Sequence, residues 1–139
     1  MILLHIGVGH GVGAALNVHE GPASISRVLN DHPLKPGMIL SNEPGYYEDN
    51  TFGIRIENLL EVVTREDLGE FAGKKFLGFK KLTMIPIQKK LIEPSLLTDS
   101  ECDWINGYHA SIKETIGPLL KTDRARVWLE KATSPLSRN

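Results

Sequence analysis

Residues 37–63 read GMILSNEPGYYEDNTFGIRIENLLEVV, and this stretch sets the fold class. Residues 37–41 form a short apolar run of the kind that builds a buried strand. Asn42, Glu43, Pro44 and Gly45 then supply the turn chemistry that breaks it. Residues 52–63 alternate more cleanly than any other part of the chain. Phe52, Ile54 and Ile56 fall on one face and Gly53, Arg55 and Glu57 on the other, the period-2 signature of a strand. A polar connection, TREDLGEFAGKK, leads to a third strand over residues 76–85. The connections are short loops, so these strands are expected to pair antiparallel.

Upstream, residues 1–22 read MILLHIGVGHGVGAALNVHEGP, an apolar run that passes into alternating glycines. Gly7, Gly9, Gly11 and Gly13 suit a backbone that turns tightly or comes close to another group. Residues 30–36, NDHPLKP, form a loop with two prolines. Downstream, Pro86 and Pro94 bound a linker, after which the period of the pattern changes. Thr98 with Glu101 makes a capping box that opens a helix. Cys102, Ile105, His109, Ile112, Ile116 and Leu119 then recur every three or four residues, a single stripe that has to pack on something. A second helix over residues 123–132 stops before Ser134 and Pro135. The expected fold class is therefore α/β, with a sheet-centred block over residues 1–86 and a helical extension over residues 87–139.

With 139 residues, 41% of them apolar and 24% charged, the chain has the composition of a soluble globular domain. Sixteen basic side chains nearly balance seventeen acidic ones, which gives no electrostatic reason to expect nucleic acid or an anionic membrane as partner. Cys102 is the single cysteine, so the sequence offers neither a disulfide framework nor a thiolate metal cluster, and a reducing compartment is the simpler expectation. The apolar opening is too short for a secretory leader with its flanks and far below the ~20 residues of a membrane span. These features predict a cytoplasmic protein.

Candidates for chemistry are His5, His10 and His19 in the glycine-rich segment, Glu43 in the turn and Glu57 on the strand. Imidazole and carboxylate are the donors that paired hydrolytic metal ions take, and a carboxylate can give one oxygen to each ion. Spacing alone leaves the bland readings open: a glycine-rich loop, turn polarity, a solvated strand face. The run Gly9-His10-Gly11-Val12-Gly13-Ala14 also satisfies G-x-G-x-x-A, and Asp31 lies about twenty residues further on, as in a nucleotide-binding module. Against that alternative, no second parallel strand precedes Asp31. His109 lies on the helical stripe and reads as structural, and His32 is assigned nothing.

The wording of four segments narrows the choice. GHGVGAALNVHEGP and PGMILSNEPGYYEDNTFGIRIEN resemble the pita-bread metallopeptidases, and aminopeptidase P in particular. LTMIPIQKKLI and LTDSECDWINGYHASIKETIG look like the C-terminal extension of the cytosolic form of that enzyme. The resemblance runs over residues 9–128 and implies the C-terminal half of a pita-bread catalytic domain followed by a helical tail that serves dimerisation. It implies removal of an N-terminal residue that precedes proline, with manganese as the usual metal and peptides with proline in second position as substrates. Carried over residue by residue, His10 is a ligand of one metal ion. Glu43 is a ligand and the proton acceptor for the attacking water, and Glu57 is the carboxylate bridging both ions. His19 is the histidine that donates a hydrogen bond to the substrate carbonyl. Arg55 orients ligand carboxylates, and Tyr47 lines the pocket. Prolidase and methionine aminopeptidase share the fold, but the tail after Pro86 argues against both.

Two departures from the family pattern carry expectations of their own. The family has a histidine four residues before the ligand histidine, where Ile6 stands here, so His5 enters as a substrate-binding candidate one residue out of register. The family site also draws two aspartates from a strand far upstream, which the nine residues before His10 do not supply. Three ligands of five are then present, and the chain alone is expected to be truncated, to hold at most one ion weakly and to be inactive. Glu43 and Glu57 without cations between them are expected to repel. Half a sheet leaves an open edge and an uncovered apolar face, which together with the helical stripe predicts a homodimer. A non-catalytic interaction fragment built on the dimerisation tail is the alternative reading.

Overall fold

The computed structural model describes residues 8–15 and 17–138, and the chain divides into two compact units, Met1–Thr83 and Met84–Asn139. Among its described residues the first unit holds nine strands: β1 (Gly9–Gly11), β2 (Glu20–Ile25), β3 (Ile39–Asn42), β4 (Gly45–Glu48), β5 (Phe52–Arg55), β6 (Asn58–Thr64), β7 (Glu70–Phe71), β8 (Lys74–Lys75) and β9 (Leu77–Lys81). Five of them make one sheet in the order β2-β1-β3-β6-β9, every neighbouring pair antiparallel as the short connections predict. Leu40 and Val62 are fully buried and, with Ala23, form the centre of this unit, with Leu34 and Met38 packed against them.

The glycine-rich segment does more than turn. Gly9–Gly11 is the strand between β2 and β3, with a bulge between His10 and Gly11. A Cβ on Gly9 would come within 2.1 Å of the Ser41 carbonyl oxygen, so β1 and β3 approach as closely as they do only because that side chain is missing. No helix follows the glycines: Ala14 and Ala15 lie in a turn, and both neighbours of β1 run antiparallel. The phosphate cradle of a dinucleotide fold needs a helix N-terminus and a parallel sheet at this point, so the nucleotide-binding alternative fails on geometry.

The single strand expected over residues 52–63 is two strands. β5 pairs with β4 in a separate hairpin, Tyr47 opposite Gly53, whereas β6 pairs with β3 and β9. At the break the Ile56 N–H donates to the Pro44 carbonyl at 3.3 Å, closing the hairpin, and two residues later Asn58 faces Asn42 in the large sheet. The alternation continues through the break because each half is a strand; the change of partner leaves no mark on it. Phe52, Ile54 and Ile56 are exposed instead of buried. The polar connection after β6 also has structure, with a 3₁₀ turn at Glu66–Leu68 and the β7–β8 hairpin, whose tip places Ala72 and Gly73 at positive φ.

The second unit is helical. Short 3₁₀ turns at Lys89–Leu91 and Pro94–Leu96 lead to α1 (Asp99–Ile116), and α2 (Asp123–Ala132) follows. The predicted capping box is present: the Glu101 N–H donates to Thr98 Oγ1 at 3.3 Å, and the Thr98 N–H donates to Glu101 Oε2 at 2.7 Å. α1 buries Cys102, Ile105, Tyr108, His109 and Ile112, while Leu119 lies beyond the helix in a 3₁₀ turn and is exposed. Ile112 and Tyr108 pack with Leu129 of α2, and Met84, Ile87, Ile116 and Leu120 close around them. From Tyr108 to Ile116 the stripe is thus packed inside its own unit, and Leu119 at its end stays exposed.

Candidate metal centre

β1 and the end of β3 bring two of the candidate ligands together. His10 Nε2 lies 2.9 Å from Glu43 Oε1. Glu43 follows directly on β3, and its backbone N–H donates to the Val8 carbonyl at 2.7 Å, which ties the turn to the strand carrying His10. His10 Nδ1 lies 3.0 Å from the Gly11 carbonyl oxygen, an acceptor for a proton on that nitrogen. With the proton on Nδ1, Nε2 presents its lone pair to the carboxylate oxygen, and with Nε2 protonated it donates to that oxygen. Two acceptors face each other at this distance when a cation is shared between them, a proton or a metal ion. The donor chemistry of His10 and Glu43 therefore fits a divalent ion.

Arg55 secures the other carboxylate oxygen. Its guanidinium NH1 lies 3.1 Å from Glu43 Oε2, and its Nε–H donates to the Tyr47 hydroxyl at 2.8 Å. That bond to Tyr47 does most to hold the Arg55 pKa above its ordinary value, and the negative charges of Glu43 and Glu57 add to it. Arg55 thus places a positive charge directly against Glu43. Tyr47 reaches this position by folding over Gly53: a Cβ there would sit 2.6 Å from the tyrosine ring.

His19 lies after the Gly13–Asn17 turn, outside the strands, and its ring centre is 4.4 Å from that of His10. His10, His19, Glu43, Tyr47 and Arg55 thus gather at one end of β1, β3 and the β4–β5 hairpin. Glu57 sits in the break between β5 and β6, exposed, and among the described residues no three His, Cys, Asp or Glu side chains converge as a metal cluster. His5 lies outside the described residues. One residue that the sequence reading passed over belongs to the centre: Ser41, fully buried, donates its hydroxyl proton to Glu43 Oε1 at 2.9 Å and accepts the His10 backbone N–H at 3.0 Å. The signal that could have found it is its spacing, since Ser41 and Glu43 are two apart along an extended chain and share a face.

Comparison with known families shows what the chain is similar to. The model described as metallopeptidase family M24 matches residues 3–64, and the one described as the C-terminal region of peptidase M24 matches residues 75–136. The chain belongs to metallopeptidase family M24. Within the family it corresponds to the C-terminal part of an Xaa-Pro aminopeptidase. It is 58% identical over 133 residues to Aminopeptidase P2 of Arabidopsis thaliana, covering 95% of this chain and 19% of that protein. A probable Xaa-Pro aminopeptidase P of Coprinopsis cinerea is 51% identical over 133 residues, covering 94% of this chain and 21% of that protein. Among solved structures, X-prolyl aminopeptidase from Caenorhabditis elegans, described as a cytosolic enzyme with a di-nuclear active site, matches with a TM-score of 0.79 and 40% identity. That match covers 94% of this chain and 21% of the other, so the chain spans about a fifth of the length of the proteins it resembles. The fold is that of a pita-bread aminopeptidase P fragment, and the family implies divalent metal ions at its centre. No helix among the described residues is long and apolar enough to cross a membrane.

Proposed function

We propose that this chain supplies the C-terminal part of the active site of a cytoplasmic Xaa-Pro aminopeptidase, which removes the N-terminal residue of peptides with proline in second position. The observation that carries this reading is the His10–Glu43 pair, an imidazole nitrogen and a carboxylate oxygen 2.9 Å apart, with Arg55 on the second oxygen. His10, Glu43 and Glu57 would hold the metal, and the described residues contain too few converging donors for two ions, so the remaining ligands come from outside them. Bound divalent ions, manganese in this proposal, would polarise the scissile carbonyl and acidify the attacking water. Glu43 would take the proton from that water, kept in place for the task by Ser41 and Arg55. His19, beside His10, would donate to the carbonyl oxygen as its negative charge grows. Tyr47 and Arg55 would wall the peptide pocket. The chain alone would then hold at most one ion, weakly, and turn over little or no substrate.

Joining the chain to the upstream half of an Xaa-Pro aminopeptidase tests this. Hydrolysis of Arg-Pro-Pro with added Mn²⁺ is expected to appear on joining and to vanish in Glu43→Ala and in Glu57→Ala. His19→Ala should keep metal and lose about 10²-fold in rate or more, as removal of one transition-state donor does. Activity of the unjoined chain equal to that of the joined one would refute the division of the site. Homodimerisation is proposed here through apolar groups still exposed on the helical unit, among them Leu119, Val127 and Trp128, and light scattering of the joined protein decides it.

A further inference from the structure

We infer that Ser41 is the positioning residue of the centre, aligning His10 and Glu43 with the two ends of a single hydroxyl; this rests on the reading of those two side chains as metal ligands. Ser41 is fully buried in the middle of the sheet. Its Oγ accepts the His10 backbone N–H at 3.0 Å, and its one proton goes to Glu43 Oε1 at 2.9 Å. A hydroxyl has one proton to give, so accepting from His10 forces the O–H vector toward Glu43.

The serine itself has little room to adjust. Its backbone is held opposite Leu59 in the β3–β6 ladder, and on the other side β1 presses against its carbonyl where Gly9 lacks a side chain. Glu43 is therefore located by three groups from separate segments: Ser41 on Oε1, Arg55 on Oε2 and the Val8 carbonyl on its backbone N–H. Of these only Ser41 also touches the strand segment that carries the imidazole at His10 itself. Removing the hydroxyl frees the carboxylate to rotate and leaves the His10 N–H without a partner.

The test uses the joined enzyme and reads Mn²⁺ affinity by titration of the metal-free protein, beside its melting temperature without metal. Ser41→Ala is expected to weaken Mn²⁺ affinity by ~10–100-fold, the usual effect of losing a group that orients a ligand. Its melting temperature should fall by only a few degrees, and the KM for Arg-Pro-Pro at saturating Mn²⁺ should stay unchanged while kcat falls. Ser41→Thr, which keeps the hydroxyl, should restore affinity. If Ser41→Ala does not accumulate as folded protein, Ser41→Cys carries the test with a weak donor of similar size and the same expected loss of affinity. Wild-type Mn²⁺ affinity in Ser41→Ala, or in Ser41→Cys where that variant stands in for it, or a loss that Ser41→Thr does not repair, overturns the role of Ser41. His10→Ala and Glu43→Gln separate the two levels. If they abolish binding while Ser41→Ala does not, only the positioning role falls; if they too bind Mn²⁺ normally, the ligand assignment falls with it.

Discussion

In the helical unit the apolar stripe of α1 is covered by residues of the same unit, with Ile112, Tyr108 and Leu129 at its centre. Among the described residues of the sheet unit, Ala23, Leu40 and Val62 form the buried centre, and the apolar side chains of β5 stay exposed. The hydroxyl of Ser41 is fully buried beside this centre's strands, and the ion pairs of Glu43 are partly open. Side chains that meet within some thirty residues of chain can close a core locally. In the sheet unit the strands that gather His10, Glu43 and Arg55 leave the apolar side chains of β5 exposed.

The sharpest way to break this contrast is Ile112→Asp. A carboxylate in a fully buried apolar position should destabilise the helical unit by at least ~4 kcal/mol. Both tryptophans, Trp104 on α1 and Trp128 on α2, lie in that unit, so their emission reports its unfolding. Hydrogen exchange at the β3 and β6 amides should stay slow in the same variant. Loss of protection in both units together would show that the helical core is not closed on itself.

Acid offers a gentler probe. His109 Nε2 accepts the Ile87 N–H at 3.0 Å, which requires the neutral ring, and its Nδ1 is buried without a partner. Burial holds its pKa below the ordinary 6.5, and the charge of Lys89 pushes the same way. The unfolded chain therefore takes up a proton before the folded one does. The contribution of His109 is complete above about pH 6.5 and is lost as pH falls through that value toward the lowered folded pKa. Tryptophan-monitored melting should show this acid slope, and His109→Gln should flatten it; equal slopes in both proteins would remove His109 from the explanation.

A smaller effect is expected at the start of α1. Thr98→Ala removes the cap on the Glu101 N–H and should cost ~1 kcal/mol of helical-unit stability by denaturant melts. A change below a few tenths would mean that the linker, and not the cap, fixes where the helix begins.

The helical unit was the more legible of the two because its signals are local. Thr98 and Glu101 sit three residues apart, and the stripe from Cys102 to Ile112 repeats within single turns. Tyr108 escaped notice because it is adjacent to His109 in the pattern, yet both are buried where the stripe widens. In the sheet unit, alternation gave the strand character of residues 52–63 but not the switch of partner at Ile56, which depends on Pro44 and Asn42. β2 carried no readable signal, since Glu20, Gly21 and Pro22 are poor strand formers held in place by β1. His10, Glu43, Arg55 and Tyr47 are singled out by family wording, and the structure brings their side chains into contact. Ser41 was missed because a serine inside an apolar run looks like filler until its two hydrogen bonds are seen.

The metal centre itself is tested most directly by calorimetric titration with Mn²⁺ of the joined enzyme and of the chain alone. Two equivalents are expected in the joined wild type, and one or none in the chain alone and in joined Glu57→Ala. Two tightly bound equivalents in the chain alone, or two retained in joined Glu57→Ala, would contradict the placement of the centre on His10, Glu43 and Glu57.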